Sequence, residues 1–313
     1  MVWVAVSCPQ CSAPLPRVAL WRSVKCGSCG ALITKTESLV QRDTFRQALL
    51  RARSSSIAGQ AIQCGGQVFT LMARLGQGEV SEVYLAQRIG PMPFLAVTKL
   101  SSASHATDAH SREATVLREL QDLIGEGVDA CFGRMLPEVV AVGPVAGDLP
   151  RHALVLKAPN GYWGSAADLN TRFPQGLDPR HAVWIWRRVL GMLAFVHSRG
   201  WVHGDVRPEH LLIHPGDHGA RLIGWASAQR DASGAAQAAD LMRSARVIQI
   251  LLGGISESAS GMDQVPSELS ALVKQAAQET SFCQRQGAQG LDATLRKAAQ
   301  DAFGPPAFIP LDL

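Results

Sequence analysis

The chain has 313 residues, 47% of them apolar and 18% charged, with a formal net charge of +4. So apolar a chain buries a core rather than staying disordered, and its length suits one large two-lobed domain plus a small accessory module. The mild charge makes no case for nucleic acid or a membrane surface, and no run of about 18 apolar residues is present to span a bilayer. Residues 1–6 are apolar but lack a basic lead and run straight into Cys8, unlike a signal peptide. Seven cysteines, four of them in paired spacing, fit metal binding in a reducing compartment, so a cytoplasmic protein without a membrane anchor is expected.

Residues 1–37 hold Cys8-Pro-Gln-Cys11 and Cys26-Gly-Ser-Cys29. Two residues between cysteines let both thiolates reach one ion from a tight turn, and a second such knuckle completes a tetrahedron. The pattern resembles a zinc ribbon in which Cys8, Cys11, Cys26 and Cys29 hold a structural zinc; free thiols paired by chance are the competing explanation. Residues 38–66 predict a short basic helix over Leu39–Arg53, with Arg42, Arg46, Arg51 and Arg53, and a linker ending at Gly65-Gly66. That basic face would permit nucleic-acid contact, but few aromatics are interleaved for stacking, so a solvated face and a protein partner are preferred. Cys64, Cys131 and Cys283 have no such partners and are expected as buried small hydrophobes.

From Gln67 onward the pattern is that of one continuous domain. Strands are predicted at Val68–Leu75, Val80–Arg88 and Phe94–Leu100, then a helix over 109–123 and strands at Pro137–Val142 and Ala153–Lys157. Asp178-Pro179 is a helix start, and Val183, Trp186, Leu190, Leu193 and His197 recur at helical spacing until Gly200. Leu211–Ile213 and Arg221–Ile223 read as short strands and the rest as mostly helical. Strands first and helices later predict an α+β fold of two lobes, 67–159 and 160–313.

Four segments of this domain carry chemistry. They are Gly76-Gln77-Gly78-Glu79-Val80-Ser81-Glu82-Val83 between two strands, Ala96-Val97-Thr98-Lys99 on the next, His203-Gly204-Asp205-Val206-Arg207-Pro208-Glu209-His210 after the long helix, and Arg221-Leu222-Ile223-Gly224-Trp225-Ala226 beyond it. In this order and spacing, residues 67 to about 300 resemble a bacterial Ser/Thr protein kinase domain. The resemblance implies a bilobal protein-kinase-like fold. It implies that Gly76, Gly78 and Ser81 close over the phosphates of ATP, with Val83 against the adenine. Lys99 would contact the phosphates and pair with Glu113, with Glu119 as the rival partner. Leu156 would be the gatekeeper and Ala158 a backbone hydrogen-bond site for adenine, while Pro159 removes one donor nearby. Asp205 would orient or deprotonate a substrate hydroxyl, and Arg207 would steady the transferring phosphoryl group.

The chain also departs from that family. Gly224 stands where a magnesium-binding Asp belongs, and His210 where an Asn holds the second magnesium; neither is a hard oxygen ligand. Gly204 replaces the Arg that reads a phosphorylated activation loop, and the stretch from Gly224 to Asp240, a structural Asp in the resemblance, is short and lacks A-P-E. The expectation is a pseudokinase, a regulatory or scaffold module that holds ATP weakly if at all and does not hold Mg²⁺ in the usual way. The alternatives are a divergent active kinase with Asp205 as base and non-standard metal ligation, and a zinc-ribbon adaptor for a protein or nucleic acid. His214 and His218 flank a turn and could form a metal pair, though ordinary turn residues fit better. Residues 303–310 are expected to strap onto the large lobe.

Overall fold

The computed structural model describes residues 23–25, 32–34, 59–78, 81–101, 106–124, 130–133, 135–146, 151–231, 233–253 and 264–313. The four paired cysteines and the predicted helix Leu39–Arg53 lie outside these residues, as does the Cys131 side chain. Within the first 37 residues, β1 (Ser23–Lys25) pairs antiparallel with β2 (Leu32–Thr34), in register Ser23↔Thr34 and Lys25↔Leu32. The class is α+β, as expected. The chain divides into two compact units, residues 1–110 with 139–161, and residues 111–138 with 162–313.

The first unit is built on β3 (Ala61–Cys64), β4 (Gln67–Gln77), β5 (Ser81–Ile89), β6 (Leu95–Ser101), β7 (Val139–Val145) and β8 (Arg151–Lys157). They form one antiparallel sheet in the order β3-β4-β5-β6-β8-β7. Alternate residues such as Phe69, Leu71, Tyr84, Ala86, Leu100 and Val155 point to one side and make the core. Strand β3 falls in the stretch whose composition reads as a linker. Ile62 and Cys64 alternate inward, and Gly65-Gly66, at φ 57° and 73°, make the two-residue turn into β4. The Cys64 thiol points to Gly143 O and Ala153 O, each at 3.8 Å, so the outer strands β3 and β7 meet. Cys64 and Cys283 are both buried, as small hydrophobes should be.

α1 (Ala106–Asp122) crosses the division between His110 and Ser111. The second unit continues with α2 (Ala130–Gly133), β9 (Gly164–Ser165), α3 (Ala166–Arg172) and α4 (Pro179–Ser198). Then come β10 (Trp201–Val202), β11 (Leu211–His214), β12 (Gly219–Leu222), β13 (Gln229–Arg230), α5 (Ala235–Leu251), α6 (Ser267–Gln278) and α7 (Thr280–Phe303), the last broken at Gly287. α4 starts as its sequence predicts: the Asp178 carboxylate accepts the Arg180 N–H at 2.8 Å and Pro179 sits in the first turn. Its inner face, with Ile185, Trp186, Leu190 and Leu193, is fully buried, and Trp186 Nε1–H is satisfied by Ser244 Oγ at 3.0 Å. Two small sheets, β12-β11-β9 and β10-β13, frame the loop that follows α4.

Residues 304–313 have no regular secondary structure and return to this unit. The His218 ring lies stacked between Trp184 and Phe308, with centroids 4.5 and 4.1 Å away, and its Nε2–H donates to Ile309 O at 2.7 Å. The strap is therefore present, and His218 anchors it. His214 instead accepts the Asp217 N–H at 3.1 Å, so the two histidines have separate duties. Among the described residues no helix is long and apolar enough to cross a membrane.

Candidate functional site

In the first unit the turn between β4 and β5 sets Gly76 opposite Val83 and Gln77 opposite Glu82, and the Gly78 N–H donates to Ser81 O at 2.8 Å. Neither Gly76 nor Gly78 has positive φ. Among the described residues, a Cβ at Gly76 would meet nothing within 4 Å, and one at Gly78 only Ser81 O at 3.5 Å. Nothing in packing or dihedral angle among these residues calls for glycine there. Ser81 is turned inward, its buried hydroxyl 3.3 Å from His110 Nε2. Lys99 stands mid-strand in β6, between Val83 on β5 and Leu154 on β8.

Leu156 is buried near the end of β8. The backbone beyond it differs from expectation. The Ala158 N–H donates to Leu95 O at 3.0 Å, one pair beyond the Ala96↔Lys157 register. As a site for adenine, Ala158 is therefore left with its carbonyl, and Pro159 has no N–H at all.

In the second unit the loop after β10 is held from below by Asp240. This fully buried carboxylate accepts the N–H groups of His203 and Gly204 at 2.7 and 2.9 Å, with His197 Nε2 at 3.3 Å. His203 is itself enclosed. Its Nδ1 accepts the Asp205 N–H at 3.2 Å, so the proton sits on Nε2 and is donated to Ile223 O at 3.1 Å. Burial pulls its pKa down to about 4, so the ring is neutral at pH 7. Gly204 has φ 79°, and a Cβ there would stand 2.5 Å from Ser227 O, so no side chain fits. An Arg at this position is thus sterically excluded.

Asp205 remains partly open, with its side chain 35% exposed. Arg207 Nε lies 3.6 Å from its Oδ2, and His210 Nδ1 lies 3.2 Å from the same oxygen. The His210 ring is fixed on both sides. The Arg207 guanidinium can only donate, so Nε2 accepts from it at 3.1 Å, and Nδ1–H donates to Asp205 O at 2.9 Å.

Gly224 faces that ring. It sits at φ 80°, and a Cβ built on it would lie 2.7 Å from His210 Cε1 and Nε2 and 2.8 Å from Nδ1. The imidazole fills the space into which any side chain at 224 would project. The two departures that the sequence shows separately are one packed pair. Magnesium does not fit there: both ring nitrogens are committed and neither position offers a carboxylate or carboxamide oxygen. Among the described residues no group of three or more His, Cys, Asp or Glu could hold a metal ion.

Trp225, next in the chain, is fully buried. Its Nε1–H donates to Leu222 O at 3.0 Å, and its ring meets His203 edge-on at 4.5 Å. Its backbone N–H reaches Oε1 of Glu113, itself 1% exposed, at 3.2 Å. Glu119 is paired with Arg230 at 2.9 Å. Sequence reasoning missed Arg230 and His197; Arg230, the last residue of β13, has its partner 111 residues distant, and no local pattern points to it.

No family model matches the chain. A serine/threonine-protein kinase of Arabidopsis thaliana, AGC1-5, is 28% identical over 165 residues, which is 52% of this chain and 26% of the plant protein. The chain thus spans about a quarter of the length of the curated relative it matches. This likeness and the α+β structure support a protein-kinase-like module.

Proposed function

We propose that this chain is a kinase-like module that does not transfer phosphate, a pseudokinase acting as a regulatory or scaffold element. One observation carries the reading: the imidazole of His210 occupies the volume that a metal-binding side chain at 224 would need. Phosphoryl transfer is chiefly charge neutralisation at the transferring oxygens, and each lost electrostatic element costs about 10²–10³ in rate. Lys99, Asp205 and Arg207 do not replace a divalent cation. The bare glycines at 76 and 78 favour a loop that still lets phosphates approach, so weak nucleotide binding belongs to the reading.

The test is ATP consumption and autophosphorylation by the full chain with Mg²⁺ and with Mn²⁺, beside Asp205→Asn. The expected result is a background the variant does not change. Robust turnover abolished by Asp205→Asn would establish the divergent active kinase instead.

The ribbon belongs to the same proposal, with Cys8, Cys11, Cys26 and Cys29 holding one structural zinc and a protein as the partner. In its favour, β1 ends just before Cys26 and β2 begins just after Gly30-Ala31, so a hairpin brackets the second cysteine pair. The thiolates call for a reducing compartment, hence the cytoplasm. One zinc per chain, lost in Cys26→Ser, is the expected stoichiometry.

A further inference from the structure

An imidazole is a competent nucleophile when one ring nitrogen is held protonated and the other keeps its lone pair within reach of solvent. His210 meets that condition. Arg207 can only donate to the ring, so Nε2 holds the lone pair and Nδ1 the proton, which goes to Asp205 O at 2.9 Å. The Asp205 carboxylate lies behind that proton, with Oδ2 3.2 Å from Nδ1. The His210 side chain is 17% exposed, so the ring is held but not sealed. Gly224 keeps one flank of Nε2 clear, because a Cβ there would stand 2.7 Å from that atom and obstruct an incoming group.

Arg207 completes the arrangement. Its guanidinium meets Nε2 at 3.1 Å, and its side chain is half exposed, free to swing aside and then grip what arrives. Guanidinium groups hold phosphoryl oxygens through charge-assisted, often bidentate hydrogen bonds. An electrophile that adds to Nε2 also leaves positive charge on the ring, and the Asp205 carboxylate beside Nδ1–H offsets it. Nucleophile, counter-charge and anion clamp thus stand together on one loop. An acyl or alkyl group would make no use of Arg207, whereas a phosphoryl group uses all three.

We infer that His210 is a modification site, accepting a phosphoryl group on Nε2 from a phosphoramidate-class donor. In this step the Nε2 lone pair forms a new P–N bond while the P–N bond of the donor breaks. The donor nitrogen, already protonated, departs as a neutral amine, which is ammonia for phosphoramidate itself. The ring becomes a phosphorylated imidazolium with its Nδ1 proton in place, so no other proton or electron moves. The inference stands on the geometry of this loop and not on whether ATP is turned over.

The test incubates the full chain with potassium phosphoramidate, native and in urea. Mass spectrometry locates phosphohistidine, and phosphorus NMR separates Nε2 from Nδ1 adducts. The expected product is a single acid-labile, alkali-stable phosphate on His210 Nε2, formed about tenfold faster in the native chain than at the same residue in urea. Asp205→Asn and Arg207→Ala should each slow it about tenfold, the low end for a charge-assisted contact in a half-exposed site. Arg207→Lys keeps a charge and should recover part of the rate. The comparison with urea uses the unsubstituted protein, so it decides the matter even where a variant folds badly. A rate no faster than in urea, an adduct on Nδ1, or labelling of other histidines ahead of His210 would each overturn the inference.

Discussion

Gly224→Asp restores the residue that a metal-dependent phosphotransferase carries, and the structure predicts that it harms the fold. The left-handed backbone at φ 80° costs about 1 kcal/mol even for Asp, one of the more tolerant residues there. A Cβ 2.7 Å from the His210 ring also drives the imidazole out. The ring then gives up its bond to Asp205 O, about 1 kcal/mol, and that from the half-exposed Arg207, about 0.5 kcal/mol after screening. The loss is about 2.5 kcal/mol, or roughly 5–10 °C in Tm for a unit of this size. His210→Asn forfeits the same two bonds, about 1.5 kcal/mol, but empties the space. In the double variant only the backbone cost is added to it, so the two substitutions together lose about 2.5 rather than 4 kcal/mol. Urea denaturation of the four proteins, followed by tryptophan fluorescence, measures this coupling of about 1.5 kcal/mol. Additivity within about 0.5 kcal/mol would show that residue 224 and the imidazole do not compete, and the argument from the packed pair would fail.

Gly204→Arg, which restores the Arg of the kinase pattern, should lower stability by about 2–4 kcal/mol, because its Cβ meets Ser227 O at 2.5 Å and φ is 79°. An unchanged urea midpoint would contradict this. Stability should also fall in acid. His203 is held at about 4, below its unfolded value, so its contribution is whole above about pH 6.5 and drains away as pH falls toward 4, about 3 kcal/mol in all. The His152, His181 and His218 rings are pulled the same way by burial, so His203→Gln should flatten the fall between pH 7 and 4.5 without abolishing it; an unaltered slope refutes the assignment. His218→Ala removes the ring between Trp184 and Phe308 and the bond to Ile309 O, so chymotrypsin should cut after Phe308 severalfold faster.

Much of this architecture was readable in the sequence because it is local. Period-two alternation gave strands β4, β5, β6 and β8 to within a few residues, and Asp178-Pro179 with the apolar stripe behind it gave α4. Strand β3 was hidden because it is four residues long and its Gly65-Gly66 turn looks like linker composition. Features that depend on approach through space were not readable at all. The clash that makes Gly204 obligatory comes from Ser227, the Ala158 N–H is taken by Leu95, and Glu119 is claimed by Arg230. Gly224 and His210 are visible as two substitutions in any sequence, but only their juxtaposition shows that one excludes the other. The resemblance named the positions; the packing gave them their reasons.

The meeting of β3 with β7 has a consequence for how this protein can be approached. The two outer strands approach one another closely enough to bury the Cys64 side chain at their seam. The thiol of Cys64, sealed at that seam with its pKa raised by burial, will react with an alkylating reagent only as fast as the seam parts. Its labelling rate therefore clocks the breathing of the sheet.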